Sequence, residues 1–169
     1  MAEAGILHED DRVELIAGKI IQMAAIGSRH AACVKRLIKL LVREVGDSGV
    51  VGAQDPIILP DSSEPEPDVT VLRPRDDFYA AGHPVPEDVL LLIEVSDTSL
   101  EYDREVKLPL YASAGILEVW IVDLVNQNVY AYSRSIAGSY GNTHSVGCGD
   151  SIAPRTLPDL VVSVDEVFG

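Results

Sequence analysis

The chain has 169 residues, of which 47% are hydrophobic, so it can fold as one domain around an apolar core. Its 13 basic and 27 acidic residues give a formal net charge of −14, which repels polyanions unless basic residues are gathered locally. No segment has the composition of a secretion signal or approaches the roughly 18 consecutive apolar residues of a membrane span. We therefore expect a single cytoplasmic, soluble domain over residues 1–169, with no membrane contact and with both cysteines reduced.

The first half of the chain predicts a hairpin, a long helix and several short strands. Apolar residues flank Ala17-Gly18 within residues 13–23, which indicates two strands joined by a tight turn. Ser28 is a suitable N-cap for a helix that ends at Gly46. The apolar positions of this helix recur at helical spacing: Val34, Leu37, Ile38, Leu41, Val42 and Val45. Three short strands in a meander are predicted next: 50–54, 56–60 and 68–72.

The second half predicts a parallel pair of strands followed by antiparallel hairpins. Residues 73–87 are polar and rich in proline and glycine, which favours a loop. The apolar runs 88–95 and 117–123 indicate buried strands, and the helix between them, 101–114, ends at Gly115. Because such a crossover is normally right-handed, the two strands should be parallel. The remaining predicted elements are strands over 126–133 and through 164, and a helical turn at 165–168. The fold class is therefore α/β.

Two carboxylates and a lysine are notable because of their positions in these elements. Glu94 lies inside an apolar strand, where an unpaired carboxylate normally finds a cation or changes protonation. Asp68 begins another strand, and a divalent metal commonly relieves the repulsion between two nearby carboxylates. Lys107 lies in the helix after Glu94 and can reach back to the strand end. Each residue also has an ordinary interpretation: Asp68 as a turn residue, Glu94 as one partner of a structural ion pair, and Lys107 as a solvated helix residue.

The order of these motifs resembles a known family. Pro67-Asp68 followed by Glu94 is similar to the PD-(D/E)XK signature of restriction-endonuclease-like nucleases. Over about residues 12–168 the chain resembles the Uma-two family of endonucleases. The segments that carry this resemblance are, in order, VELIAGKI, His30, PDVTVL, LLIEVSDTS, YDREVKLPLYASAG and LEVWIVD. The resemblance implies a restriction-endonuclease-like fold, which is a mixed β-sheet flanked by helices.

The chain departs from the superfamily pattern at the catalytic lysine. That lysine would fall two residues after Glu94, where this chain has Ser96. In the Uma-two family the lysine lies in the following helix, and Lys107 matches that placement. A second departure is Asp97, where the family more often has proline, and its negative charge weakens the expectation of tight substrate binding.

The resemblance implies metal-dependent hydrolysis of phosphodiester bonds in nucleic acid, with DNA as the expected substrate. Asp68 and Glu94, with the backbone carbonyl of Val95, would hold Mg²⁺ or Mn²⁺, since both cations prefer oxygen ligands. Lys107 would orient or deprotonate the attacking water, or stabilise the charge of the transition state.

Four further residues are expected near this site. Glu14 matches an acidic position near the family's active site, although it could equally be a surface strand glutamate. His30 could contact a phosphate or move a proton, or could have no task beyond the helix terminus. Asp103 and Tyr111 lie four residues on either side of Lys107, so they share its helix face and should brace it.

A basic stripe on the first helix is the candidate contact with nucleic acid. Its members are Lys35, Arg36, Lys39 and Arg43. Such a stripe could follow a phosphate backbone, although basic residues on an outer helix face are usually only solvated. Aromatic residues make up only 5% of the chain, so no aromatic platform for single strands is expected. The resemblance also implies a homodimer, since nucleases of this fold often pair to cut two strands.

Two other functions stay open. The net charge of −14 and Asp97 would also suit a catalytically inactive member of the fold that binds a protein or nucleic-acid partner. A metal-dependent hydrolase of small phosphoesters is the other alternative, because a repulsive field matters less for a small substrate.

Overall fold

A six-stranded mixed sheet organises residues 12–169, the part of the chain that the computed structural model describes. Its strands, in spatial order, are β3 (Val50–Gly52), β4 (Val69–Leu72), β5 (Val89–Ser96), β6 (Glu118–Asp123), β7 (Asn128–Ile136) and β8 (Ser139–Gly147). Two small antiparallel pairs lie outside it: β1 (Val13–Ile16) with β2 (Lys19–Gln22), and β9 (Ser151–Ile152) with β10 (Val162–Ser163). The predicted α/β class is confirmed.

The helices lie on the two faces of this sheet. They are α1 (Ser28–Val45), α2 (Leu100–Tyr102), α3 (Leu108–Ala114) and α4 (Val164–Phe168). A π-helical turn, Asp103–Lys107, joins α2 to α3, and 3₁₀ turns occur at Gly46–Ser48 and Pro86–Asp88. Within the described residues, none of these helices combines the length and apolarity that a membrane span requires.

Alternation along β5 separates the hydrophobic core into two clusters. Leu91, Ile93 and Val95 belong to the first cluster, which contains the buried side chains of α1 and α4. Leu92 belongs to the second cluster, with Tyr111 of α3. Because successive side chains of a strand point to opposite faces, Glu94 lies on the face of Leu92, toward α3.

The crossover between β5 and β6 is as predicted. The two strands pair in parallel, with Glu94 opposite Ile121. The helical segment between them ends before Gly115, whose left-handed φ of 85° is a conformation that glycine adopts at little cost. The π-helical turn inside this segment has no signal in the apolar spacing and was not predicted.

The predicted strand at 56–60 is wrong. Ile57 and Leu59 are buried, and their backbone N–H groups both donate to the segment 63–65. Only the isolated bridge between Leu59 and Ser63 forms within the described residues, because Pro65 has no N–H with which to extend a ladder. The donor and acceptor pairs are Ile57 to Pro65, Ile58 to Pro84 and Leu59 to Ser63.

The first helix has the predicted span but differs in two details. Gly27 is its N-cap, because the Gly27 carbonyl accepts the Ala31 N–H, and Ser28 is the first helical residue. Val42 is 56% exposed, so its predicted place in the apolar face is wrong. The buried stripe runs instead through Cys33, Leu37 and Leu40, and the exposed thiol of the chain is Cys148.

Candidate active site

A buried chain of charges lies where β5 faces the π-helical turn. Glu94 is 3% exposed, and Lys107 is 5% exposed. The Nζ of Lys107 lies 3.1 Å from Oε1 of Glu94 and 3.0 Å from Oε2 of Glu14. The Tyr111 hydroxyl donates to the same Oε1 of Glu94 at 2.6 Å. One ammonium group is therefore shared by two buried carboxylates, and Tyr111 braces the glutamate.

The charges of this cluster are unbalanced. Burial raises the pKa of Glu94 to about 8, although the neighbouring Lys107 ammonium lowers it. Burial alone would lower the pKa of Lys107, but the carboxylates of Glu94 and Glu14 outweigh it and raise the pKa above the ordinary value. Two carboxylates with one cation leave one negative charge uncompensated, so Glu94 holds a proton more tightly than an exposed glutamate does.

Glu14 is part of this cluster. It lies in β1 and is 5% exposed, so its alternative interpretation as a surface glutamate is wrong. The Tyr102 hydroxyl donates to Oε1 of Glu14 at 3.3 Å, and burial with the Glu14 charge raises the pKa of Tyr102 to about 12. Tyr102 was not predicted, and nothing in its helical spacing indicates a partner in the first hairpin.

Asp68 lies beside this cluster at the start of β4. Val69 pairs with Ile93, so the register continued by one residue brings Asp68 opposite Glu94. Oδ2 of Asp68 accepts the Val95 backbone N–H at 2.9 Å and contacts Nε2 of His30 at 3.0 Å. The hydrogen bond to Asp68 raises the pKa of His30, against the effect of burial.

Two further polar residues lie close to Asp68 and were not predicted. The side-chain amide of Gln54 donates to Oδ1 of Asp68 at 3.4 Å. Glu66 lies on the same loop as Asp68, and burial together with the Glu14 charge raises its pKa. The EPEPD segment therefore contributes negative charge at positions that its turn-like composition did not distinguish.

The residue at the usual lysine position anchors the helix that contains Lys107. The hydroxyls of Ser96 and Ser99 each donate to Oδ2 of Asp103 at 2.7 Å. Burial raises the pKa of Asp103, while these two hydrogen bonds lower it. Asp103 begins the π-helical turn and Lys107 ends it, so the anchor fixes where the lysine lies. Asp103, Lys107 and Tyr111 are all buried, and the last two both contact Glu94.

The basic stripe on α1 is not one continuous patch. Lys35 and Lys39 are exposed, whereas Arg43 contacts Glu44 at 2.6 Å and Glu166 at 3.7 Å. The guanidinium of Arg36 packs close to Gly169. Arg43 is thus paired with two glutamates, whereas Lys35 and Lys39 have their ammonium groups available for an anion.

Arg29, which was not predicted, lies nearer to the candidate site. It donates to the Leu124 carbonyl at 2.7 Å and lies 3.5 Å from Asp97. The negative charge of Asp97, which was expected to weaken substrate binding, is therefore paired with a cation.

The carboxylates do not form a complete metal site by themselves. Across residues 12–169, no group of three or more His, Cys, Asp or Glu side chains is arranged to hold a metal ion. Asp68 and Glu94 are a pair, and their other contacts are hydrogen-bond donors and the Lys107 ammonium. A cation held here would need further oxygen ligands from water or from a substrate.

Comparisons with known proteins agree with the motifs. The solved structures include a similar one, described as "a putative nuclease belonging to DUF820 from Anabaena variabilis ATCC 29413". The TM-score is 0.75 at 17% identity, and the match covers 98% of this chain and 94% of that one, which shows a shared fold. No curated protein matches. The family model Uma2, described as "Putative restriction endonuclease", matches residues 2–165. The chain therefore belongs to the Uma2 family, as its ordered motifs predicted.

Proposed function

We propose that this protein is a metal-dependent nuclease that hydrolyses phosphodiester bonds of nucleic acid, with DNA as the first substrate to test. The observation that carries the proposal is the contact of the buried Lys107 ammonium with Glu94 at 3.1 Å, beside Asp68 on the neighbouring strand. Family membership and the fold likeness support a nuclease in general terms. The metal, its ligands and the substrate belong to the proposal.

The donor set suits a hard divalent cation such as Mg²⁺ or Mn²⁺. Asp68 and Glu94 supply carboxylate oxygens, and the Asp68 charge itself raises the pKa of Glu94. Excess negative charge of this kind favours a cation. When bound, Mg²⁺ or Mn²⁺ would supply Lewis-acid polarisation of a phosphoryl oxygen and activation of water. We propose Asp68 and Glu94 as its ligands, with the Val95 carbonyl as a third, while water and substrate complete the coordination.

Lys107 acts as a cation in this proposal, not as a base. Its pKa is raised by Glu94 and Glu14, so it keeps its proton at every physiological pH. A fixed ammonium group stabilises the negative charge that develops on a phosphoryl group during hydrolysis. Tyr111 and Glu14 hold that ammonium and its carboxylate partner in place.

His30 is the proposed contact with a phosphate through Nδ1, which is buried without a hydrogen-bond partner among residues 12–169, because Nε2 already contacts Asp68. Its hydrogen bond to Asp68 raises its pKa, so the imidazolium form persists to higher pH than in an isolated histidine. It also lies at the N-terminal end of α1, where the helix dipole favours an anion. Lys35 and Lys39 are exposed members of the basic stripe, and no ion pair with another residue of 12–169 occupies them, so they could extend this contact.

The experiment is calorimetric titration of Mn²⁺ into the wild type, Asp68→Asn and Glu94→Gln, each followed by incubation with supercoiled plasmid. We expect metal binding and nicking in the wild type and the loss of both in the two variants. Glu118→Gln is the matched control, since Glu118 is an equally buried glutamate on the neighbouring strand. Nicking by all four proteins alike, or no Mn²⁺ binding by the wild type, would contradict the proposal.

Two copies of the site could cut the two strands of a duplex together, so a homodimer also belongs to the proposal. Light scattering during the nicking assay measures the mass directly. Turnover of a small phosphodiester without nicking would instead favour a hydrolase of small phosphoesters.

A further inference from the structure

An aromatic surface lies on the same face of the sheet as Glu94. We define the tyrosine patch as Arg104, Tyr130, Tyr132 and Tyr140, all partly exposed. The guanidinium of Arg104 lies 4.2 Å from the centre of the Tyr130 ring, and the rings of Tyr132 and Tyr140 are 6.3 Å apart. The three rings also pack partly against the second hydrophobic cluster, so each is exposed only in part. Tertiary structure gathers three of the chain's six tyrosines in one place.

The patch is aligned with the candidate active site by strand register. Glu94 of β5 pairs with Ile121 of β6, which pairs with Tyr130 of β7. These three residues form one row across the sheet, and their side chains point to the same face. Adjacent strands lie about 4.8 Å apart, so Tyr130 is about 10 Å from Glu94. Ile121, between them, is fully buried, so the row fixes the spacing of the two places but is itself covered.

The helix that supplies Lys107 also supplies Arg104. Arg104 lies in the π-helical turn three residues before Lys107, so one short segment contributes a cation to each place. The Nε of Arg104 is buried and has no hydrogen-bond partner among residues 12–169, and its guanidinium stacks on the ring of Tyr130. Planar guanidinium and tyrosine groups are the surfaces on which unpaired bases stack.

The charge around the patch favours a base over a phosphate as the group that binds. Glu101 and Glu105 are exposed on the same helical segment as Arg104. Carboxylates repel a phosphate, whereas stacking on a neutral base depends little on net charge. This mode of contact is open to a chain with a formal charge of −14.

We propose that the tyrosine patch stacks an unpaired base of the strand whose phosphate lies at Glu94 and Lys107. The natural substrate is then single-stranded or locally unpaired nucleic acid. The position of the phosphate rests on the proposed function, while binding of an unpaired base to the patch can be measured without any cleavage.

A second arginine–tyrosine stack provides a matched control. Arg75 lies 4.2 Å from the centre of the Tyr79 ring, the same distance as in the patch. Arg75 lies in the loop after β4, whereas Asp68 lies at the other end of that strand. Arg75 also pairs with Asp77 at 2.7 Å. The same substitution at Tyr79 therefore removes an equivalent stack that is remote from the site.

The test measures binding of oligothymidylate that contains one 2-aminopurine, and of a fully paired duplex, with all divalent metal chelated by EDTA. The proteins are the wild type, Tyr130→Leu, Tyr130→Phe and Tyr79→Leu, each checked for folding by its thermal transition. We expect the wild type to prefer the single strand and to quench 2-aminopurine fluorescence, which is the signature of base stacking. Tyr130→Leu should bind the single strand about 5- to 100-fold more weakly, with the salt dependence unchanged.

Each outcome has a separate meaning. Wild-type affinity in Tyr130→Phe and in Tyr79→Leu is expected, because the first keeps a ring and the second lies elsewhere. Equal loss in Tyr79→Leu and Tyr130→Leu, equal affinity for single strand and duplex, or no binding at all would overturn the inference. Plasmid nicking with Mn²⁺ in the absence of single-strand binding would leave the nuclease standing without the patch. Tyr130-dependent binding without nicking would leave the patch standing without the nuclease.

Discussion

Two buried glutamates on neighbouring parallel strands have different surroundings. Glu94 of β5 is 3% exposed and Glu118 of β6 is 2% exposed. Oε1 of Glu118 accepts the Trp120 indole N–H at 2.8 Å, and its Oε2 accepts the Arg155 backbone N–H at 2.8 Å. Each oxygen of Glu118 thus has a neutral donor, whereas Glu94 shares one ammonium with Glu14.

The difference teaches that burial of a carboxylate does not by itself mark a functional site. Glu118 is fully satisfied by neutral hydrogen-bond donors and can be explained by structure alone. Glu94 lies opposite a second carboxylate, Asp68, and it shares the Lys107 ammonium with another glutamate. Perturbed groups with a specific charge partner are the better functional candidates.

The largest change in stability should come from Lys107→Met, which removes the cation that distinguishes Glu94 from Glu118. Removal of the shared ammonium leaves Glu14 and Glu94 buried without their cation, which costs about 3–5 kcal/mol of stability. Denaturant unfolding at neutral pH measures the change. Lys39→Met, at an exposed lysine of α1, is the control and should change stability by less than about 0.5 kcal/mol. Equal changes in the two variants would show that the buried ion pair contributes nothing.

The pH dependence of stability should distinguish the wild type from Glu94→Gln. The pKa of Glu94 rises from 4.5 to about 8 on folding, so the folded protein binds more protons than the unfolded chain between these values. The stabilisation of the folded state by the protonated Glu94 is therefore complete below pH 4.5 and is lost as the pH rises through about 8. The stability of the wild type relative to Glu94→Gln should fall by at most about 1.4 kcal/mol per pH unit. Denaturant midpoints across this range measure it, and a constant difference would refute the assignment.

Glu118→Gln should affect stability without affecting nicking. The amide NH₂ would face one of the two N–H donors, Trp120 or Arg155, which then loses its acceptor. An unsatisfied buried donor costs about 1–3 kcal/mol. Thermal unfolding measures the loss, and plasmid nicking below the transition should equal that of the wild type. A large loss of nicking would mean that Glu118 takes part in the site after all.

Tyr111→Phe should give the smallest effect. It removes the 2.6 Å hydrogen bond to Glu94 but keeps the ring that packs in the core, so the expected loss of stability is about 1 kcal/mol. The hydrogen bond lowers the pKa of Glu94, so its loss should raise that pKa further. Unfolding at several pH values should show that the decline of stability linked to Glu94 extends to higher pH. An unchanged profile would contradict the proposal that Tyr111 braces Glu94.

The sequence by itself determined the family and the parallel crossover, and it predicted the residues of the candidate site. Apolar runs, a helix stop at Gly115 and the order of Asp68, Glu94 and Lys107 are local features that spacing reveals. Only the fold class and family are confirmed by comparison, and the catalytic roles stay predictions. The strand at 56–60 failed because local alternation says nothing about which segment accepts each backbone hydrogen bond.

Only the tertiary structure decided that Glu94 shares its cation with Glu14 and which tyrosines lie together. Glu94 and Glu118 both interrupt apolar strands, and nothing local predicts that β1 supplies Glu14 to one while Arg155 caps the other. Tyr130 aligns with Glu94 because the register of β5 against β6 and of β6 against β7 together places them in one row. The physical reason is that charge pairing and side-chain stacking depend on lateral neighbours, which chain order alone does not fix.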